Sequence, residues 1–344
     1  MTLQRLLGIE LPIIQAPMAG VQDSALAIAV SNAGGLGSLP CAMLSNEALS
    51  KELNTLRAHT NMPYSVNFFC HTSPPPQPQQ EAAWRRILAP YYEEYGLDSD
   101  SIPKVPQRRP FSHETADVVE AFKPAVVSFH FGLPETKLLA RVKNWGSKVI
   151  ASATTLEEAL FLEAADVDGI IAQGLEAGGH RGNFLSNDLS RQMGTLSLVP
   201  QIANAVKLPV IAAGGIVDAK GVAAARALGA AGVQIGTAYL LCDESTTSVL
   251  HRRALESDAA RHTVLTNIFS GRPARGIVNR AITELGPMNH SVPAFPLAST
   301  AMAPLRAACE KQSSKDLSPL WCGQNTSGCK EVSAAALTLS LAAS

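Results

Sequence analysis

"PVIAAGGIVDAKGVAAARALGAAGVQIGTAYL" runs from Pro209 to Leu240. A continuously apolar, β-branched run (209–215) ends in two glycines. An Ala-rich segment with helical spacing, "DAKGVAAARALGA", follows, and then a second apolar run, "GVQIGTAYL" (232–240). Neither run alternates apolar with polar side chains, so both read as parallel strands covered on two faces. The stretch is one strand–helix–strand unit.

The same rhythm recurs upstream. The strand candidates are "PIIQAPM" (12–18), "GLGSL" (35–39), "YSVNFF" (64–69), "AVVSFHF" (125–131), "KVIASA" (148–153) and "GIIAQG" (169–174). Helix candidates between them include "SNEALSKELNTLRAHT", "HETADVVEAFK" and "TLEEALFLEAADV". In "TLEE", Thr155 can cap the helix while Glu158 reaches back, a capping-box pattern. Eight strand–helix units between residues 12 and 240 predict an α/β fold. A (β/α)8 TIM barrel fits them better than an open doubly wound sheet.

Residues 1–256 are expected to form this barrel, interrupted after the third strand by an insertion at 70–111. The insertion opens with "TSPPPQPQQ", read as non-helical, continues with a helix in "EAAWRRILAPYYEEYGL", and closes with "IPKVPQRRP". It lies on a βα connection, hence at the C-terminal face, as a lid, a subunit contact or a decorative loop. Residues 257–344 are expected to be a helical C-terminal extension that packs on the barrel and covers the substrate site.

Composition narrows the function classes. Hydrophobic residues make up 46% of the 344 and charged residues 17%, enough for a sizeable core and against wholesale disorder. The net charge is −1 with no long basic block, which argues against a nucleic-acid surface. No signal-peptide pattern opens the chain, and no window reaches the roughly 18 to 20 uninterrupted apolar residues of a membrane span. The six scattered cysteines contain no C-x-x-C pair and read as free thiols in a reducing compartment. A cytoplasmic protein is expected, monomer or homodimer, with small-molecule partners and no membrane contact.

Functional groups at the strand ends converge on the barrel mouth. Those ends carry Gln15, Pro17 and Met18, then Asn67, Ser128 and His130, then Gln173, Gly214, Gly215, Gln234, Ile235, Gly236 and Thr237. Uncharged amides and hydroxyls dominate, with no acidic pair for glycoside hydrolysis and no metal-ligand spacing. The glycines after the seventh strand and in the eighth suit a phosphate, because free N–H groups approach an anion there. Glycine spacing for a Rossmann dinucleotide site is missing. Asn67, Gln173 and Gln234 suit the polar edge of a ring cofactor, and "APMAG" could lie against its face; a structural hydrogen-bonding role is the alternative for each amide. After the sixth strand, "EAGGHRG" surrounds His180 with glycines (Gly178, Gly179) and sets Arg181 beside it. Imidazole titrates near neutrality, which suits a general base, and Arg181 would add positive potential for an anionic substrate. The other reading is a loop histidine bonded to nearby backbone. His130 is a further pocket candidate, with structural hydrogen bonding as its alternative. The remaining six histidines, His71 and His251 among them, read as solvated or packing residues.

"PIIQAPMAG", "SVNFF", "AQGLEAGGHRG", "PVIAAGGI", "QIGTAYL", "SGRPARG" and "SPLWCGQ", in this order, resemble the FMN-dependent nitronate monooxygenases, formerly 2-nitropropane dioxygenases. The resemblance covers most of the chain. It implies a (β/α)8 barrel holding FMN non-covalently, with Asn67, Gln173, Gly178, Gly215 and Gln234–Thr237 at the flavin and His180 as the catalytic residue. It also implies oxidation of alkyl nitronates, such as propionate 3-nitronate, by O2 to a carbonyl compound and nitrite. In members that accept neutral nitroalkanes, the histidine first removes the α-proton. Relatives place tyrosines and a lysine near the substrate in the C-terminal stretch. Here "PAFPLASTAMAPLR" has Phe295 and neither residue type, which leaves substrate choice open. Two alternatives use the same barrel: an NAD(P)H-dependent flavin reductase of quinones or enoyl thioesters, and a non-catalytic flavin-binding protein.

Overall fold

The β-branched runs form strands in a computed structural model, and the structure describes residues 2–98 and 108–343. In chain order the strands are β1 (Ile13–Gln15), β2 (Gly37–Pro40), β3 (Tyr64–Phe69), β4 (Val126–His130), β5 (Lys148–Ala153), β6 (Gly169–Gln173), β7 (Gly179–His180), β8 (Val210–Ala213), β9 (Gly232–Ile235), β10 (Thr263–Thr266) and β11 (Ala274–Ile277). Eight of them pair in parallel in the order β1-β9-β8-β6-β5-β4-β3-β2. A parallel bridge between Ile14 and Leu36 joins β1 to β2 and closes the barrel. The α/β barrel expected from the sequence is therefore the fold.

Ile14, Leu36, Val126, Ile150, Ile171 and Ile211 fill the inside of the barrel, together with Leu3 and Leu7 of the N-terminal Leu3–Leu7 helix. That helix fills the bottom of the barrel, opposite the C-terminal ends of the strands. Outside, a larger core of β-branched and Leu/Ala side chains lies between the strands and the surrounding helices.

Three local readings change. The second apolar run of the opening stretch leaves the sheet after Ile235, and Thr237–Leu241 turn into a 3-10 helix instead of continuing the strand. The insertion helix begins at Pro78, inside "TSPPPQPQQ", because proline lacks only a donor that the first helical position does not need. Most of "IPKVPQRRP" lies outside the described residues. Thr155 does cap its helix, accepting from the Glu158 N–H. The Glu158 carboxylate, though, reaches the N–H and hydroxyl of Thr154 and also the N–H of Phe184, so the cap anchors the segment after His180.

The C-terminal segment serves two places. Its last helix, Ala334–Ala342, packs against the Ser24–Asn32 and Ala219–Ala227 helices and β1, where the eighth helix of the barrel belongs. Tyr239 and Thr338 share a hydroxyl–hydroxyl hydrogen bond of 2.8 Å that ties this helix to the chain following β9. A division at residue 256 thus separates the barrel from its closing helix. Earlier parts of the segment build a second core with the Pro78–Glu94 insertion helix, uniting Trp84, Leu88 and Tyr92 with Phe269, Ile282, Ala301 and Leu305. The Tyr92 hydroxyl donates to the Ala301 carbonyl at 2.6 Å across it.

Candidate functional site

Every strand of the barrel delivers its C-terminal end to one cavity of about 240 Å3. Pro17, Met18, Asn67, Gln173, Gly178, Gly179, Gly214, Gly215, Gln234, Ile235, Gly236 and Thr237 all line it, as do His130 and His180. Arg108 and Trp321, from the insertion and the C-terminal segment, add to its walls.

One end is a backbone cradle. Gly214 and Gly215 sit at φ of 120° and 73°, left-handed conformations that a side chain would strain. Among the described residues, the N–H groups of Gly215 and Gly236 meet no acceptor, which leaves donors for an anion at the ends of β8 and β9. At Gly178 the backbone approaches the chain closely: a Cβ would lie 2.6 Å from the Cys322 carbonyl carbon. The polar side chains differ in what they have free. Asn67 donates to the Ser128 hydroxyl at 2.9 Å and its Oδ1 has no partner, whereas the Gln234 amide has no partner at all among the described residues. Gln173 is committed: its Nε2 donates to the His180 carbonyl at 3.0 Å and its Oε1 accepts from the Gly182 N–H at 2.8 Å.

His180 lines the same cavity. It is not in a mobile loop: β7 pairs with β11, His180 opposite Ala274, as the edge of a small antiparallel sheet with β10. Four side chains hold the segment. His130 donates from Nε2 to the His180 carbonyl at 3.2 Å, a carbonyl being only an acceptor, so its Nδ1 accepts from Ser152 Oγ at 3.0 Å. Gln173 holds the same carbonyl, and Glu158 holds the chain beyond. Arg181 is fully buried, donating to Gln192 Oε1 and to the carbonyls of Gly174 and Gln173, each at 2.7 Å. It does not reach the cavity, contrary to its reading as a substrate-pocket residue. Its guanidinium is used up fastening the segment to β6.

The His180 ring packs among Phe69, Phe131, Phe295 and Trp321, with centroids 5.5–6.2 Å away. Phe295 meets the His180 ring edge-on and is not among the side chains that line the cavity. Burial, with the charges of Arg108 and Arg272 added, holds the His180 pKa well below that of free imidazole. His180 Nε2 lies 2.8 Å from Ser270 Oγ, and that hydroxyl is 3.3 Å from the Arg272 carbonyl. If Ser270 gives its one proton to that carbonyl, it accepts from Nε2–H and leaves the unprotonated Nδ1 as the ring's unbonded nitrogen. Desolvation likewise keeps His130 neutral, its pKa pushed down to about 3.

Sequence reading missed Arg108, Ser270, Arg272, Trp321 and Glu176. Arg108 stood in the insertion tail, and the others stood in quoted blocks with no role attached. Glu176 accepts from the N–H of Thr195 at 2.8 Å, capping the helix Thr195–Ala205 beside the glycine cradle. His71 and His251, read as solvated or packing, are both buried; neither ring nitrogen of His71 finds a partner among the described residues, and of His251 only Nε2 lacks one, the ring also bonding to the Trp321 backbone. The described residues contain no group of His, Cys, Asp or Glu arranged to hold a metal ion. No helix among them is long and apolar enough to cross a membrane.

A family model described as nitronate monooxygenase matches residues 1–343. The nitronate monooxygenase of Paraburkholderia phytofirmans is 43% identical over 343 residues, covering 98% of this chain and 92% of that protein. The Pseudomonas aeruginosa nitronate monooxygenase is 40% identical, covering 98% and 97%. Among solved structures, nitroalkane oxidase from Streptomyces ansochromogenes matches with a TM-score of 0.90 at 38% identity, over 99% of this chain and 96% of that one. FabK from Thermotoga maritima matches with a TM-score of 0.73 at 28% identity, over 99% and 94%. With agreement that runs almost end to end, the chain belongs to the nitronate monooxygenase family, a family of oxidoreductases.

Proposed function

We propose that the chain binds FMN across the mouth of the barrel and uses O2 to oxidise alkyl nitronates to a carbonyl compound and nitrite. The observation that carries this reading is a buried His180 whose Nδ1 has no partner among the described residues, in a cavity that also holds a glycine cradle with N–H groups that meet no acceptor there; burial favours the unprotonated ring. The residues fit the cofactor on chemical grounds. The N–H groups of Gly215 and Gly236 would hold the phosphate, Gln234 and the Asn67 Oδ1 would meet the polar ring edge, and Pro17 and Met18 would lie against the ring. The redox chemistry, electron exchange with the nitronate and then with O2, is what bound FMN supplies.

The chain's own groups do the rest. His180 Nδ1 takes the α-proton of a neutral nitroalkane, a transfer that needs the unprotonated ring that burial maintains. Arg108 lines the cavity with no carboxylate paired to it among the described residues and attracts the anionic nitronate. The surrounding aromatic rings exclude water, which strengthens that attraction. The unpaired cysteines accord with a cytoplasmic setting.

The test is purification without added flavin, followed by oxygen uptake and nitrite release with propionate 3-nitronate. A yellow protein that consumes oxygen and releases nitrite is expected. A colourless protein, or one inert towards the nitronate, would overturn the reading.

A further inference from the structure

Trp321 also lines a second, smaller space, with a volume of about 110 Å3. Met43, Arg108, Arg306, Pro319 and Trp321 line both this annex and the main cavity, so the two adjoin across shared side chains. The indole links them. Its ring centre lies 5.6 Å from that of His180 and 5.6 Å from that of Phe269, which meets it edge-on and lines the annex alone. The annex follows from the sequence of the Ala298–Lys311 helix, which presents Ser299, Thr300 and Ala303 to it, small side chains about one turn apart that leave room. Phe269, Met302 and Leu317 add buried apolar walls. The polar side chains of those walls are engaged elsewhere. Ser299 and Thr300 donate to the Pro296 and Leu297 carbonyls at 2.6 and 2.7 Å, and Arg306 Nε donates to Glu310 Oε1 at 2.7 Å. Arg108 stands at the junction, lining the main cavity as well.

We propose that this annex holds the alkyl arm of the substrate, so that the chain favours unbranched, uncharged nitronates of medium length, such as that of 1-nitrohexane, over short ones such as that of 1-nitropropane. The inference rests on the function proposed above and names the substrate class within it. The reacting carbon stays on the His180 side of Trp321, and the arm runs along the indole, past Met43 and Pro319, into the annex. Each methylene that leaves water for such walls gains about threefold to fourfold in binding. A carboxylate at the end of the arm gains nothing comparable: it loses its hydration, the wall hydroxyls are already donating, and Arg306 already has Glu310. Water gains as little there, because the hydrogen bonds it would make with those hydroxyls and that guanidinium nitrogen are taken. The residues that set chain length are therefore Thr300 and Ala303, whose small size keeps the space open.

Two measurements on the protein as purified separate this inference from the flavin reading. The first is calorimetric titration with 1-hexanol and with 1-propanol, which carry the arm and no reactive group. 1-Hexanol should bind at least about tenfold more tightly. The second is oxygen uptake with the nitronates of 1-nitrohexane and 1-nitropropane, where kcat/KM should favour the longer chain by a similar factor. Thr300→Phe and Ala303→Phe each put a ring into the annex and should lower both ratios by about tenfold, with the fold checked by circular dichroism. Equal affinity of the wild-type protein for the two alcohols would overturn the proposal without recourse to a variant. So would ratios unchanged in the folded Thr300→Phe and Ala303→Phe proteins, which would put the arm in the main cavity. Failure of the flavin reading looks different: neither nitronate would drive oxygen uptake, and the alcohol titration would still decide whether the annex takes an alkyl chain.

Discussion

At the scale of single residues, the central point is that burial keeps the His180 ring unprotonated and so able to accept a proton. An exposed imidazole loses half its neutral form at about pH 6.5, whereas desolvation keeps this ring neutral below that. Turnover of a neutral nitroalkane should therefore stay flat from about pH 8 down to about pH 6, where an ordinary histidine base would already have lost most of its rate. Steady-state kcat against pH checks this. Replacing His180 with Asn should leave the flavin bound and lower kcat on neutral nitroalkane by about 100- to 10,000-fold. Ser270→Ala should lower kcat and shift its pH profile while changing KM little, since Ser270 acts through the ring's orientation. His180 was legible because glycines and a strand end announced it. Arg181, its neighbour, was misread because sequence does not say which way a side chain turns on a β-ladder: His180 meets the cavity and Arg181 goes into the core.

At the scale of elements, the glycines and the closing helix can be tested separately. A valine at Gly215, where φ is 73°, would strain the backbone and place a branched side chain against Glu176 in the cradle. Gly215→Val should lower flavin retention, measured as the absorbance ratio of the purified protein, with the fold kept by circular dichroism. Removing residues 333–344 should destabilise the whole barrel, because Leu337 and Leu341 are buried in its core. Each buried leucine is worth about 2–5 kcal/mol, so the truncated chain should melt far lower or fail to fold. The eight barrel strands could be read from β-branched runs that follow a simple rule. β7, β10 and β11 could not: β7 is two residues long, and partners 80 or more positions away define it. The closing helix was equally hidden, since nothing local in "SAAALTLSLAA" says that it returns to pack beside β1.

For the whole molecule, buried neutral histidines make stability depend on pH. His71 and His251 are pushed down to about 4 and His130 to about 3, all chiefly by burial. Unfolded, each titrates near 6.5, so below that pH the unfolded chain binds more protons than the folded one, and stability falls as pH falls. Each such histidine withdraws about 1.4 kcal/mol per pH unit between its unfolded and folded pKa. Chemical denaturation midpoints should therefore drop steeply from about pH 6.5 to about pH 4, and less so when His251 is replaced by Leu. The cap formed by the insertion helix and the C-terminal segment was invisible as a unit in the sequence, because its two halves are about 200 residues apart and meet through contacts such as that of the Tyr92 hydroxyl with the Ala301 carbonyl. For that reason Arg108 and Trp321 were missed while every glycine of the cradle was found.

The most direct measurement is anaerobic stopped-flow mixing of the purified protein with an alkyl nitronate and, in parallel, with NADPH. The expected result is fast bleaching of the flavin band by the nitronate and none on that timescale by NADPH. Bleaching by NADPH alone, or a protein with no flavin band to bleach, would contradict the proposed function.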